Sequence, residues 1–415
     1  MQEIDHKRRQ TLQNLTLLSG GVLLAPTLTN IANGQERNWA KIRKAYLPQT
    51  EMINLNNAGV SPAPVPVQEK MIAAYRFSNE LPDVHMWEEL DTAMPRIKEK
   101  LAVLADCDPK EIAINRNTTE GLCTAIYGMP LKAGDEILLC HLDYASMIEA
   151  WKLRSKRDGL SVKWVSFDMM DDDEVIIDAY LKTISPKTKV IHLTHMLHWN
   201  GRVLPVKKLC KIAKDRGIKT VVDAAQSFAQ IPVSFRDLDC DYFATSLHKW
   251  LCAPFGTGML IMRSSVIDET YPLLAPYDPG AEGIARFDLW SLGTYNSAAE
   301  TAIETAIDFH NSVGPAAKHQ RLSELSQYWV EKVQDINGFK IHTPMDSSDL
   351  GAVTLFSIEG MDIAVIEKRL IEEHKIRTRW RKTDGVAGVR VSPHIYTSES
   401  DLDKFADALR KITKT

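Results

Sequence analysis

The 415-residue sequence predicts an α/β fold, a mostly parallel sheet between helices with a smaller α+β region after it. Three observations carry that prediction. From residue 111 onward short β-rich runs alternate with helical stretches, the pattern of crossover connections that leaves a sheet covered on both faces. The polar clusters Asn117-Thr118-Thr119-Glu120, Asp143-Tyr144, Asp223-Ala224-Ala225-Gln226 and Ser246-Leu247-His248-Lys249-Trp250 all follow such runs closely, and sheets of this kind bind ligands beyond the carboxyl ends of their strands. Near Gly293 the texture changes to two long helical stretches and then a few weaker strands. The length suits two packed lobes. With 44% hydrophobic and 25% charged residues, the chain has enough apolar material for a core without disulfides or a structural metal.

In chain order, Lys7-Arg8-Arg9-Gln10-Thr11-Leu12 opens a cationic segment. An uncharged stretch over 15–31 follows, broken by Gly20, Gly21 and Pro26, and then the small residues of Ala32-Asn33-Gly34. Cationic, apolar and small-residue regions in that order describe an export signal of the twin-arginine kind over 1–34, and hence a periplasmic protein. The apolar part is too short and too interrupted to cross a bilayer stably. The alternative is a disordered basic leader on a cytoplasmic protein. Helices are expected at 39–46, 67–79 and 87–104, around an Asn-, Gly- and Pro-rich loop at 54–66. Strands are expected at 112–115, 136–140, 161–166, 190–194, 220–223, 242–245 and 258–262. Helices at 119–127, 144–157 and 206–215 separate several of these, whereas the last two strands are joined by a loop. This large domain, with its amino-terminal segment, is placed at 35–295. The smaller domain, 296–415, opens with helices at 297–311 and 316–335. Its strands are expected near 352–358 and 388–392, and a final helix at 401–411 with Ser400 as N-cap.

Charge and cysteine content narrow the partners. The net charge is −4, and basic runs never exceed a few residues, which argues against nucleic acid. The six cysteines form no C-x-x-C pair and sit in or beside apolar segments, so they read as buried thiols, with no metal site.

The chemistry centres on Lys249, between a strand and the loop Phe255-Gly256-Thr257-Gly258. A lysine in isolation is usually a surface residue, but three upstream features change that. Asp223 ends the apolar run Val221-Val222. Thr118 and Thr119 open a helix, a natural phosphate site. Tyr144 places an aromatic ring at another strand end. Together they supply what pyridoxal 5′-phosphate (PLP) requires: an amine for its aldehyde, a carboxylate to hold the proton on its pyridine nitrogen, neutral donors with a helix dipole for its phosphate, and a flat partner for its ring.

These motifs, in this chain order, resemble the class V aminotransferase family of fold-type I PLP enzymes, and within it the isopenicillin N epimerase-like branch, from about residue 50 to the C-terminus. The resemblance implies the fold-type I architecture with a seven-stranded sheet. It implies that Lys249 carries the cofactor and later moves the proton at the substrate α carbon, with Asp223 on the pyridine nitrogen and Gln226 and Asn200 near the ring's phenolic oxygen. Thr118, Thr119, Ser246 and His248 hold the phosphate, and Tyr144 stacks on the ring. Val389-Arg390-Val391-Ser392-Pro393-His394 resembles the segment whose arginine grips the substrate carboxylate, a contact suited to a guanidinium. Asn56, Asn57 and Ala58 border the substrate in relatives. Gly293-Thr294-Tyr295-Asn296 resembles the loop that reaches the neighbouring subunit's phosphate, which implies a homodimer with active sites at its interface.

One departure bears on the reaction. Cysteine desulfurases of this family need a nucleophilic cysteine shortly before the carboxylate arginine, and the stretch 377–390 contains none. Sulfur transfer through a persulfide is therefore disfavoured, while cysteine-independent C–S cleavage stays open. Transamination, epimerisation and elimination share their first steps; the expected reaction is of aminotransferase or epimerase type on an amino acid or amino-acid-derived metabolite, the alternatives being a PLP-dependent lyase or cyclase and a non-catalytic PLP-binding module. His85, Trp87, His195, His198, Trp199, Arg379 and Arg381 are candidates for the substrate pocket or for plain packing.

Overall fold

A computed structural model describes residues 38–46, 51–383 and 385–414. The twin-arginine leader lies outside the described residues. In chain order the strands are β1 (Ile53–Asn54), β2 (Ile112–Asn115), β3 (Glu136–Cys140), β4 (Ser161–Val165), β5 (Thr188–Thr194), β6 (Lys219–Asp223), β7 (Tyr242–Ser246), β8 (Gly258–Met262), β9 (Phe339–Ile341), β10 (Thr354–Ile358), β11 (Ile376–Arg377), β12 (Arg379–Thr383) and β13 (Val386–Val391).

Seven of them form the main sheet in the order β2-β8-β7-β6-β5-β3-β4. β3 to β7 run parallel, and β8 runs antiparallel to both its neighbours. The helix-free link from β7 to β8 explains the exception, because a short loop returns the chain antiparallel, whereas a parallel neighbour needs a long crossover. The central strands are apolar and buried along their whole length, as Glu136–Cys140 and Gly258–Met262 show. That is what helices on both faces require. β4, at the edge, is only partly buried.

The second sheet is antiparallel, β12-β13-β10-β9. Trp329 of the helix Pro315–Val333 packs edge-on against Phe356 at 5.6 Å and Phe405 at 5.4 Å. Val389 and Val391 join the same apolar cluster. The intervening Arg390 alternates to the opposite side of β13. The loop after β1 is stitched alongside: β1 pairs in parallel with β11, and Asn56 bridges to Ser392.

Three expectations need correction. The helix expected over 87–104 is broken into a π turn at Val84–Glu89, a 3-10 turn at Leu90–Ala93 and an α-helix at Met94–Ala105. Pro95 has no N–H to give to the carbonyl four residues back and its ring crowds that carbonyl, so the α-helical hydrogen-bond ladder starts anew there. The last helix runs Glu399–Ile412 and is capped by Ser398 rather than Ser400, in a reciprocal box with Asp401. The strands β9 and β12 were not expected: β9, Phe339-Lys340-Ile341, is too short for its alternation to register, and β12 carries Trp380 as its one large apolar residue. All six cysteines are free: Cys140, Cys210, Cys240 and Cys252 are buried, and Cys107 and Cys123 are half-buried. Among the described residues no helix is long and apolar enough to cross a membrane.

Candidate active site

The carboxyl ends of β5, β6 and β7 open onto a cavity of about 280 Å³. Asp223, the last residue of β6, is buried there, and one of its carboxylate oxygens accepts the Ala225 N–H at 2.9 Å. No described residue hydrogen-bonds the other oxygen. Burial raises this carboxyl above its ordinary range, and the Ala225 N–H and the nearby Lys249 ammonium pull it back down. Lys249 follows β7 by three residues, in a tight turn where its N–H donates to Ser246 O at 3.2 Å. Burial lowers the Lys249 amine to about 8, with Asp223 opposing and the Arg390 and Arg381 guanidiniums adding to the depression. At neutral pH roughly a tenth of such amines are unprotonated and nucleophilic, against well under a thousandth for a free lysine.

The amino-terminal end of the helix Thr118–Gly128 closes one side. Asn117 caps it by accepting the Glu120 N–H at 2.9 Å. The Thr118 N–H donates to Ser246 Oγ at 2.9 Å, and the two hydroxyls meet at 2.7 Å. His248 places Nδ1 2.9 Å from Thr257 O. That carbonyl can only accept, so Nδ1 carries the proton and Nε2 is left as an acceptor. Thr118, the exposed Thr119 and Ser246 make a cationless, hydroxyl-rich cradle at a helix N-terminus, suited to an anion, whereas His248 can donate to an anion only in its protonated form, which burial disfavours. Gly258 makes the arrangement possible, since a Cβ there would stand 2.5 Å from Asn115 Oδ1 and 2.6 Å from Asn117 Cα.

Tyr144 heads the helix Ala145–Asp158 and lies edge-on to His198, with ring centroids 5.4 Å apart. Gln226 is buried with both ends of its amide engaged, Nε2 donating to Ala58 O at 2.9 Å and Oε1 accepting from Trp250 at 3.0 Å. Ala58 thus reaches the cavity wall by a direct tie to the large sheet. Arg390, fully buried, donates to His198 O and to Asn56 Oδ1, both at 2.9 Å. Its Nε has no partner among the described residues. Burial, then Arg390, Arg381 and Lys249, push the His198 imidazole well below its usual value, so it is neutral.

Most of the residues singled out in the sequence therefore line one cavity: Ala58, Thr118, Thr119, Tyr144, Asp223, Gln226, Ser246, His248, Lys249 and Arg390. Three do not. Asn200 is turned away, its amide donating to His342 O at 2.8 Å and its Oδ1 accepting the Arg202 N–H at 3.0 Å. Asn57 is a latch between the first loop and the small sheet, donating to Ser392 O at 2.9 Å and accepting from Tyr396 at 2.6 Å. Thr294 lies exposed on a separate surface depression with Trp87, Tyr277 and Trp290. Of the broader candidates, His198 and Arg381 line the cavity. His195 is occupied by Ser227 at 2.9 Å, and Trp199 by Leu142 O at 2.8 Å. The sequence reasoning passed over Thr194, Met147 and Met196, which also line the cavity. Thr194 was findable, because it ends β5 and the ligand side of such a sheet is its carboxyl edge.

Comparison with known proteins places the chain in a family. The family model described as "Aminotransferase class-V" matches residues 53–405. The chain is 28% identical to the isopenicillin N epimerase of Streptomyces clavuligerus over 395 residues, covering 91% of this chain and 98% of that one. It is 26% identical to a probable cysteine desulfurase of Synechocystis, covering 86% and 90%. In fold it matches the cystine C–S lyase C-DES. A mutant of that enzyme with glycine covalently linked to the PLP cofactor gives a TM-score of 0.80 at 21% identity, covering 88% of this chain and 98% of that one. The complex with the product cysteine persulfide gives 0.79 at 22%, covering 86% and 97%.

Proposed function

Because the chain belongs to the class V aminotransferase family, we propose that it is a PLP-dependent enzyme acting at the α carbon of an amino acid or amino-acid-derived metabolite, in an aminotransferase- or epimerase-type reaction. The observation that carries this is the pairing of Lys249 and Asp223 at one cavity, with a hydroxyl-lined helix N-terminus beside them. The residues fit the cofactor. A buried carboxylate with one oxygen unpartnered suits a protonated nitrogen, and the cradle of Thr118, Thr119 and Ser246 suits a phosphate, with His248 joining it only when protonated. When bound, PLP supplies a ring that takes up the electron pair left on the α carbon.

The chain's own side chains do the rest. Lys249 would hold the cofactor through its amine and, when free, would be the base that takes the proton of the α carbon. Asp223 would keep the proton on the ring nitrogen, Tyr144 would supply an aromatic face for the ring, and Arg390 would hold the α-carboxylate. The chain works as a homodimer in this proposal, with Thr294 reaching the partner's phosphate. In support, Tyr277, 86% exposed, and Trp87, 54% exposed, stand with Thr294 around one depression, an exposed aromatic surface that a partner would cover. The twin arginine of residues 8 and 9 sends the protein to the periplasm, and fractionation that left it in the cytoplasm would overturn that part.

The second reading is a PLP-dependent lyase, favoured by the likeness to cysteine desulfurases and a C–S lyase. A persulfide route has no cysteine to use: 377–390 contains none, and Cys252 is buried against His394 at 3.4 Å and Tyr46 at 3.9 Å. The deciding measurement is the visible spectrum of the purified protein with PLP, followed by a panel of amino compounds in deuterated water. Release of a keto acid with the cofactor left in its amine form establishes transamination. Deuterium at an inverted α carbon establishes epimerisation, and loss of a side-chain substituent establishes the lyase. Failure to develop a visible band with PLP sinks the cofactor assignment.

A further inference from the structure

The charges around the cavity do not balance for a substrate with one acidic group. Lys249, Arg381 and Arg390 line it as cations, and Asp223 is the only carboxylate among the lining residues. Lys249 and Asp223 answer one another. The proposed phosphate end, at Thr118 and Ser246, is built from hydroxyls and a helix terminus. Arg390 is taken by an α-carboxylate. Arg381 remains.

Arg381 is placed differently from the arginines beside it. Arg377 and Arg379 turn to Glu367, with oxygens 3.6 and 4.0 Å away, and Arg379 also lies over Trp380. The Arg381 guanidinium has no hydrogen bond or ion pair to any described residue, and its Nε is buried without a partner. Arg381 is half-buried, and a guanidinium N–H shut off from water without an acceptor is costly, so an anion that arrives in the cavity would satisfy it. The register sets its position: Arg379 stands opposite Arg390 and Arg381 opposite Gly388 in the β12–β13 pair. Arg381 and Arg390 are thus diagonal neighbours on one face, about 7–8 Å apart at the backbone. Two long side chains so spaced reach two carboxylates on one short chain. Gly388 keeps the strand crossing tight, since a Cβ there would stand 2.7 Å from Phe356 O.

We propose that Arg381 is a second anion-recognition residue, and that the substrate is an amino acid bearing a second acidic group a few carbons from its α-carboxylate. The proposal rests on the PLP reading for the role of Arg390 and deepens it. Arg381 is a specificity residue here, and the reacting atoms are served by Lys249.

The test is calorimetric titration of the PLP-supplemented protein with glutarate and with butyrate, amine-free probes with two carboxylates and one. Glutarate is expected to bind the wild type at least about tenfold tighter, the value of one charged hydrogen-bonded contact. Arg381→Gln removes that advantage and leaves butyrate unchanged. Arg381→Lys restores part of it, which a folding defect would not do. Arg390→Gln weakens both ligands. Equal affinity of the wild type for the two probes, or an equal loss for both in Arg381→Gln, overturns the proposal. The visible band reports separately on the cofactor: its absence with PLP defeats the PLP reading, while the glutarate preference still decides the arginine pair.

Discussion

At the scale of single residues, the site depends on two groups whose burial changes their chemistry. Asp223 is isolated from water at a strand end, and only a protonated nitrogen in the cavity satisfies its free oxygen. Asp223→Asn is expected to keep the fold and lose at least about a hundredfold in kcat/KM, the usual cost of removing one electrostatic partner of the reacting system. Steady-state kinetics beside circular dichroism checks this. Lys249 gives a pH dependence. Its amine lies at about 8, depressed by burial and by the two arginines. Below that value the amine is protonated and cannot attack an aldehyde. Capture of PLP by the apoprotein should therefore quicken with rising pH and level off above about 8, instead of climbing on toward the ordinary lysine value near 10.4. Removing a neighbouring cation eases the protonated form, so Arg381→Gln moves the plateau to higher pH. Stopped-flow absorbance across the range measures both. Lys249 and Asp223 were legible in the sequence because each sits where an apolar run stops. The orientation of Asn200 was not legible, because its partner His342 lies 142 positions away.

At the scale of elements, close approach of backbones sets the cradle. β8 passes the Asn117 turn with no room for a side chain at Gly258. Gly258→Ala should push the turn outward, separate Thr118 from Ser246 and lower PLP affinity by about tenfold, with a stability loss of about 1–3 kcal/mol from overpacking. PLP titration and urea unfolding read the two effects, and an unaltered affinity would show that the cradle does not depend on this contact. The strands of the main sheet were readable as apolar runs between helical stretches. β12 was not, because its alternation RWRKT is polar on both sides and its reason for being a strand is its partner β13. The helix break at Pro95 was written in the sequence, since proline at that place signals a helix start. The cap at Ser398 needed its reciprocal bond with Asp401 to be told from Ser400.

At the scale of the whole molecule, the exposed Trp87, Tyr277 and Thr294 depression leads to a prediction about assembly. The purified protein should sediment as a dimer, and Tyr277→Glu, which places a charge in that apolar patch, should shift it toward monomer and weaken PLP binding. A dimer untouched by the change would move the interface elsewhere. The sequence by itself determined the α/β class, the seven strand runs and the attachment of Lys249, Asp223, Thr118 and Tyr144 to their ends, because period and turn chemistry are local properties. The tertiary structure alone decided that β6 and β7 lie side by side, so that Asp223 meets Lys249. It also decided that Asn57 is a latch and that Arg381 stands next to Arg390 at the cavity. Those facts depend on strand order and register, which are set by pairing between segments far apart in the chain, where no short stretch of sequence carries the information.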